Sequence, residues 1–145
     1  MDIVESYNGT GVLNLVSDIK TAVEFEPLSV TRLEGHTRAY LKIQEGCNRY
    51  CTYCIIPYAR GPIRSRKSAE VVAEVEKLAK NGFKEVVLAG IHIASYGLDL
   101  DEGVYLADII ERVHAVDGIE RIRFSSMEPL AVTDDFIERM RVLPK

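Results

Sequence analysis

Cys47, Cys51 and Cys54 stand within Cys47-Asn48-Arg49-Tyr50-Cys51-Thr52-Tyr53-Cys54, and the chain has 3 cysteines in all. Three thiolates at that spacing on one loop suit three corners of a cuboidal 4Fe-4S cluster. The fourth iron is then left to a ligand that is not protein, which makes the site one for chemistry and not only for structure.

Other uses of three thiols compete with that reading. A disulfide framework wants an even number of cysteines in a secreted chain, whereas this number is odd and Met1-Asp2-Ile3-Val4-Glu5 has no basic, apolar leader. A structural zinc site needs a fourth ligand. His36, His92 and His114 lack finger-like spacing from the cysteines, although folding could bring one near. Cysteines buried for packing rarely cluster beside arginines such as Arg49 and Arg60 and several tyrosines. On spacing, the cluster reading leads.

Arg60, Arg64, Arg66 and Lys67 follow the cysteines, with Gly61-Pro62 as a turn between them. Such a patch suits a phosphate or a carboxylate; the plainer reading is a solvated loop with scattered ion pairs. The net charge of -4 argues against a wholly basic nucleic-acid-binding surface.

The elements that must position these residues are legible in the periodicity. With 145 residues and 47% hydrophobic content the chain can bury one core. Its longest apolar run, Val86 to Ala94, is broken by His92 and is far short of the ~20 residues of a bilayer span, so no membrane association is expected. A cytoplasmic protein is expected, because reduced thiolates persist there.

Ala39 to Gln44 alternates and reads as a strand that runs into the cysteine loop. Ser68 is an N-cap candidate for a helix through Val71, Val72, Val75, Leu78 and Ala79, stopped by Asn81-Gly82. Glu85 to Ala89 reads as a strand covered on both faces, followed by the loop Gly90 to Gly103 and a helix through Leu106, Ile109, Ile110 and Val113. A third strand is expected at Arg121 to Ser125. Thr133 then caps a helix bearing Phe136, Ile137 and Met140. The alternation predicts an α/β fold of parallel units, too few to close a barrel, with an unpaired strand edge. Loops at the carboxyl ends of the strands should converge on one face.

Cys-x-x-x-Cys-x-aromatic-Cys after a first strand resembles the radical S-adenosylmethionine (SAM) superfamily. Gln44-Glu45-Gly46-Cys47-Asn48, Cys54-Ile55-Ile56-Pro57-Tyr58-Ala59-Arg60-Gly61 and Ser65-Arg66 resemble its methylthiotransferases, which act on tRNA or on a ribosomal protein. Gly90-Ile91-His92, Ser95-Tyr96-Gly97 and Ser125-Ser126-Met127-Glu128-Pro129 look most like the branch that modifies N6-threonylcarbamoyladenosine beside the anticodon. The resemblance implies about half of a partial (β/α)6 barrel: residues 1–34 as a connector from an amino-terminal domain and 35–145 as a truncated radical SAM core.

It further implies that Cys47, Cys51 and Cys54 ligate a 4Fe-4S cluster whose open iron binds SAM, and that one-electron reduction yields a 5′-deoxyadenosyl radical. Tyr53 falls at the position near the adenine. Gly90 and His92 fall where a strand-end motif meets the methionine amino group, although the acidic residues typical of other branches are absent. Ser125 and Glu128 would reach SAM or the nucleoside, and Arg60, with Arg64 and Arg66, the SAM carboxylate or tRNA phosphates. The resemblance also implies the tRNA anticodon stem-loop and an electron donor such as flavodoxin or ferredoxin as partners of the longer protein. A second 4Fe-4S cluster is expected only in the amino-terminal domain, since no cysteine precedes Cys47. The piece is therefore expected to be inactive alone. The alternatives are action on another tRNA adenosine or a ribosomal protein, and a non-enzymatic module that binds zinc and RNA.

Overall fold

Residues 16–26 and 37–145 are described by the computed structural model. Most of the expected connector, and His36, lie outside these residues. The alternating stretch becomes strand β1, Arg38–Glu45, with Ala39, Leu41 and Ile43 buried. The cysteine loop ends in a short helix α1, Ile56–Arg60, with Pro57 in its first turn, where a missing N–H costs nothing. Then come β2 (Arg64–Ser65), α2 (Ser68–Lys80), β3 (Glu85–Gly90), α3 (Leu106–His114), β4 (Arg121–Phe124) and α4 (Asp134–Arg141). Three 3-10 turns, Ile19–Thr21, Ile93–Ser95 and Pro129–Ala131, complete the described elements.

The sheet runs in the order β2-β1-β3-β4. β1 and β3 are parallel from Arg38↔Glu85 to Lys42↔Ala89, and β3 and β4 from Glu85↔Arg121 to Leu88↔Phe124. These are the parallel β/α units expected from the alternation of elements. One pairing was not expected: β2 lies antiparallel to the end of β1, Gln44↔Ser65 and Glu45↔Arg64, and covers the edge of β1 beside the cysteines. It exists because the chain reverses after α1 at Gly61, whose φ of +72 favours glycine.

One face of the sheet carries the core. Ala39, Leu41, Ile43, Val86 and Leu88 meet Val71, Val75 and Leu78 of α2 and Ile109, Ile110 and Val113 of α3. Each such side chain contributes roughly 1.5–3 kcal/mol when taken fully from water. The expectation that β3 is fully covered on both faces is corrected: Val86 and Leu88 are buried, but Val87 and Ala89 only half so, and among the described residues no helix packs on that other face. That face carries Glu85, which lies 2.7 Å from Arg123, 3.6 Å from Arg121 and 3.8 Å from Arg38.

Thr133 caps α4 as expected, accepting from Phe136 N at 3.2 Å. Ser68 does not cap α2. Lys67 takes the cap position, while Ser68 N donates to Glu102 at 3.1 Å and Ser68 Oγ accepts from Arg112 at 2.9 Å. A carboxylate from the β3–α3 connection and a guanidinium from α3 thus replace the local cap. Among the described residues no helix is long and apolar enough to cross a membrane.

Candidate metal centre at the strand ends

β1 delivers the chain to Gly46, at φ +70, where an added Cβ would lie 1.8 Å from the Pro62 carbonyl oxygen. No other residue fits that approach without moving backbone. Cys47 N donates to Gly61 O at 3.1 Å, and Gln44 Nε2 donates to Glu45 O and Gly46 O, each at 2.8 Å. Arg64 braces the same place. Its Nε and Nη2 donate to Glu45 Oε1 at 3.2 and 2.9 Å, and it also donates to the carbonyls of Arg60 and Pro62 at 3.0 Å. Burial alone would raise the Glu45 pKa, but the hydrogen bonds from Lys42 and Arg64 prevail and hold it below its ordinary value.

Beyond that base the loop is open. Asn48 Oδ1 accepts from Ile63 N at 3.1 Å, Tyr50 has φ 48, and Cys54 N donates to Cys51 O at 2.9 Å. Cys47 is buried, Cys54 half-buried and Cys51 exposed, and all three thiols are free. Among the described residues no group of three or more His, Cys, Asp or Glu side chains stands ready to hold a metal ion. The donor set fits an iron–sulfur cluster by its chemistry, three free thiols on one loop. Holding one centre with all three requires the open part of the loop to draw the sulfurs together.

The strand-end loops do converge. Ser125 Oγ lies 3.3 Å from both Gly90 N and Gly90 O, joining the ends of β4 and β3. A Cβ on Gly90 would lie 2.8 Å from Gln44 Oε1, so the glycine makes room for that amide. His92 N donates to Gln44 Oε1 at 2.8 Å, and His92 Nδ1 is 2.6 Å from Ser95 Oγ. Glu128 Oε1 is 3.2 Å from His92 Nε2 but is not aligned as a hydrogen bond. Its other oxygen is 3.3 Å from Arg49 Nη2, inside the cysteine loop. Gly90, His92, Ser125 and Glu128 are thus brought together, whereas Tyr53, 92% exposed, and Arg60 face solvent.

The expectation for the basic patch is corrected at two residues. Arg64 and Arg66 are each 5% exposed. Arg64 is held by Glu45, and Arg66 lies 3.6 Å from Glu74 and 3.7 Å from Glu70. A buried guanidinium needs a partner inside the protein, and the chain supplies carboxylates to both. Neither can reach a phosphate without breaking its pair.

Two residues that the sequence reading did not place at the site, Gln44 and Arg49, connect its parts. Gln44 is fully buried at the point where the β1–β3 register slips between Lys42 and Gln44. A buried amide at the end of an alternating strand was the available signal. A further tie runs from Asp99, which accepts from Ser65 N at 2.8 Å and from Ser65 Oγ, while Gly97 N donates to that hydroxyl at 2.9 Å. Between the cysteine loop and this connection lies a cleft of about 390 Å³, lined by Asn48, Arg49, Ile63, Ser95, Leu98 and Asp99. That volume lies within the range of small-ligand sites.

The radical SAM superfamily model matches residues 41–144. The chain is 46% identical over 126 residues to the threonylcarbamoyladenosine tRNA methylthiotransferase MtaB of Bacillus subtilis (strain 168), covering 87% of this chain and 28% of that protein. It is 40% identical over 134 residues to the tRNA-2-methylthio-N(6)-dimethylallyladenosine synthase of Thermoanaerobacter sp. (strain X514), covering 92% of this chain and 28% of that enzyme. The synthase of the same name from Caldicellulosiruptor saccharolyticus is 43% identical over the same length and coverage. The chain spans 28% of the length of these relatives.

Proposed function

The chain belongs to the radical SAM superfamily, and from that premise we propose that it is the cluster- and SAM-holding part of a tRNA methylthiotransferase that acts on N6-threonylcarbamoyladenosine. Membership implies a 4Fe-4S cluster and SAM. The observation that carries the residue assignment is the loop after β1, with three free thiols at the face where the ends of β3 and β4 meet. Cys47, Cys51 and Cys54 would hold the cluster, which when bound supplies one-electron reductive cleavage of SAM. The chain's own residues do the positioning. Gln44 and Arg64 fix the base of the loop, Ser125 joins the ends of β3 and β4, and His92 offers a ring nitrogen at the convergent face. Tyr53, exposed on the loop, is free to lie against an adenine.

The tRNA substrate is supported by the names of the relatives, and the threonylcarbamoyl branch by the 46% identity to one of them. The electron donor would be a small one-electron carrier such as flavodoxin or ferredoxin. Residues 1–34 would connect to a domain carrying the second cluster.

Anaerobic reconstitution with iron and sulfide tests the core assignment. A 4Fe-4S EPR signal that changes on adding SAM supports it; stoichiometric zinc with no cluster would sink it. Mass spectrometry of tRNA nucleosides from cells lacking the gene tests the branch. Loss of the methylthio group from threonylcarbamoyladenosine alone is expected, and its loss from dimethylallyladenosine instead would reassign the substrate.

A further inference from the structure

We infer that Glu128 is a positioning residue that tethers the cysteine loop, through Arg49, to the ends of β3 and β4. Arg49 lies between Cys47 and Cys51, and its Nη2 is 3.3 Å from Glu128 Oε2. The other carboxylate oxygen faces His92 Nε2 at 3.2 Å. That imidazole also meets Ser95 Oγ at Nδ1, and the His92 backbone is held by the bond from its N–H to Gln44 Oε1. Gln44 in turn holds the Gly46 carbonyl, immediately before Cys47. The contacts therefore close a ring: loop, Arg49, Glu128, His92, Gln44, and back to the base of the loop.

The carboxylate is preset for this role. Pro129 follows Glu128 and keeps its backbone extended, at φ -69 and ψ 143, so that the 3-10 turn Pro129–Ala131 begins only after it. Both oxygens of Glu128 are directed at groups of the protein itself, one on each neighbouring loop. The Arg49 and Glu128 side chains are 55% and 39% exposed, so the ion pair is weak when considered alone. Such a contact biases the loop without locking it, which suits a loop that must still draw its sulfurs together. Its bearing on metal binding rests on the reading of the three cysteines as ligands; the tether does not.

Hydrogen exchange of the metal-free chain, read by mass spectrometry on the peptide spanning 47–54, tests the tether directly. Glu128→Gln and Arg49→Gln should each speed exchange there by roughly two- to fivefold, the range an exposed ion pair allows. The double variant should exchange no faster than either single one, and peptides from α3 should be unchanged. No change in the loop, effects that multiply in the double variant, or acceleration that spreads to α3 would each overturn the inference. Cobalt(II) titration followed by thiolate-to-cobalt charge transfer adds a second readout. Glu128→Gln and Arg49→Gln should weaken cobalt binding by the same factor, and Arg49→Lys should restore most of it; equal weakening by Arg49→Lys would count against the ion pair. A wild-type chain with no charge-transfer band would overturn the cysteine assignment, while the exchange result would still decide the tether.

Discussion

Ile43 is wholly buried beneath α2 and α3, yet a few residues further along the same chain Cys51 is exposed to solvent. The two regions are held by different physics. The helix-covered face of the sheet is apolar and close-packed, so its conformation follows from burial. The strand-end face is held by polar contacts between residues far apart in sequence, such as Ser65 with Asp99 and Glu128 with Arg49. Folding energy is concentrated in the first region and reactive groups in the second, which leaves the cysteine loop able to change shape without unfolding the sheet.

Substituting the loop should break that division if it is wrong, and here the largest effect is expected. Cys51→Ala should abolish cluster assembly, with iron and sulfide falling to background, because two thiols on this loop cannot replace three. Its unfolding free energy should move by no more than about 0.5 kcal/mol, as for an exposed side chain. Leu88→Ala in the centre of β3 should do the reverse in urea denaturation, costing about 2–5 kcal/mol. A Cys51→Ala protein that melts like the Leu88→Ala protein would erase the distinction.

Arg64 sits on the border between the regions. It is a cation with a nearly dry environment, bonded to Glu45 and to the carbonyls of Arg60 and Pro62. Removing one partner of a buried pair costs up to about 3–5 kcal/mol; Glu45 would keep Lys42 at 2.7 Å, so the loss falls also on the carbonyls of Arg60 and Pro62. Arg64→Met should therefore unfold at distinctly lower urea and also loosen the entry to the cysteine loop, whereas Arg60→Ala should leave the urea midpoint unchanged. Equal effects from the two would mean that the buried pair does not anchor the loop.

The same division explains what could be read from sequence. β1, α2 and α3 announce themselves by apolar period, because their energy comes from one buried face, whereas β3 shows as an unbroken apolar run that conceals which face is covered. The cysteine spacing was legible because three thiols within eight residues stand out in a sequence whatever fold surrounds them. Arg64 and Arg66 misled, because a run of arginines after a turn looks like a solvent-facing patch until Glu45 and Glu74 are placed beside them. β2 was illegible for a related reason: two residues have no period, and Ser65 is tied to Asp99, distant in sequence. Arg49 gave no signal of partnership, since Glu128 lies on another strand end, and for Gln44 only its amide at the end of an alternating strand pointed inward, not its bond to His92.

Acid should act on the border before it acts on the core. Glu45 has an ordinary pKa of 4.5 that folding lowers, so the unfolded chain takes up the proton first. Its stabilising contribution is complete above pH 4.5 and is lost as pH falls from there through the lower folded value. Asp108, lowered against the effect of burial by hydrogen bonds from the Tyr105 N–H and Arg139, and Glu111, lowered chiefly by the hydrogen bond from Arg139, add a loss of the same sign. In urea denaturation between pH 7 and pH 3, Glu45→Gln should be less stable than wild type at neutral pH, and the gap should narrow as pH falls. A gap independent of pH would mean that the Glu45 charge is not what Arg64 requires.

The smallest expected effect falls on Tyr53, and it sharpens the comparison most finely. The ring is 92% exposed, so Tyr53→Ala removes almost no buried surface. Its unfolding free energy should stay within about 0.5 kcal/mol of wild type, the usual limit for a surface position. The aromatic side chain nonetheless stands between Cys51 and Cys54, where the proposed adenine would lie. In the reconstituted chain, Tyr53→Ala should retain the 4Fe-4S EPR signal but require more SAM to change it. An unchanged SAM dependence would remove Tyr53 from the cofactor site, and a loss of stability beyond that limit would show that the open loop carries folding energy after all.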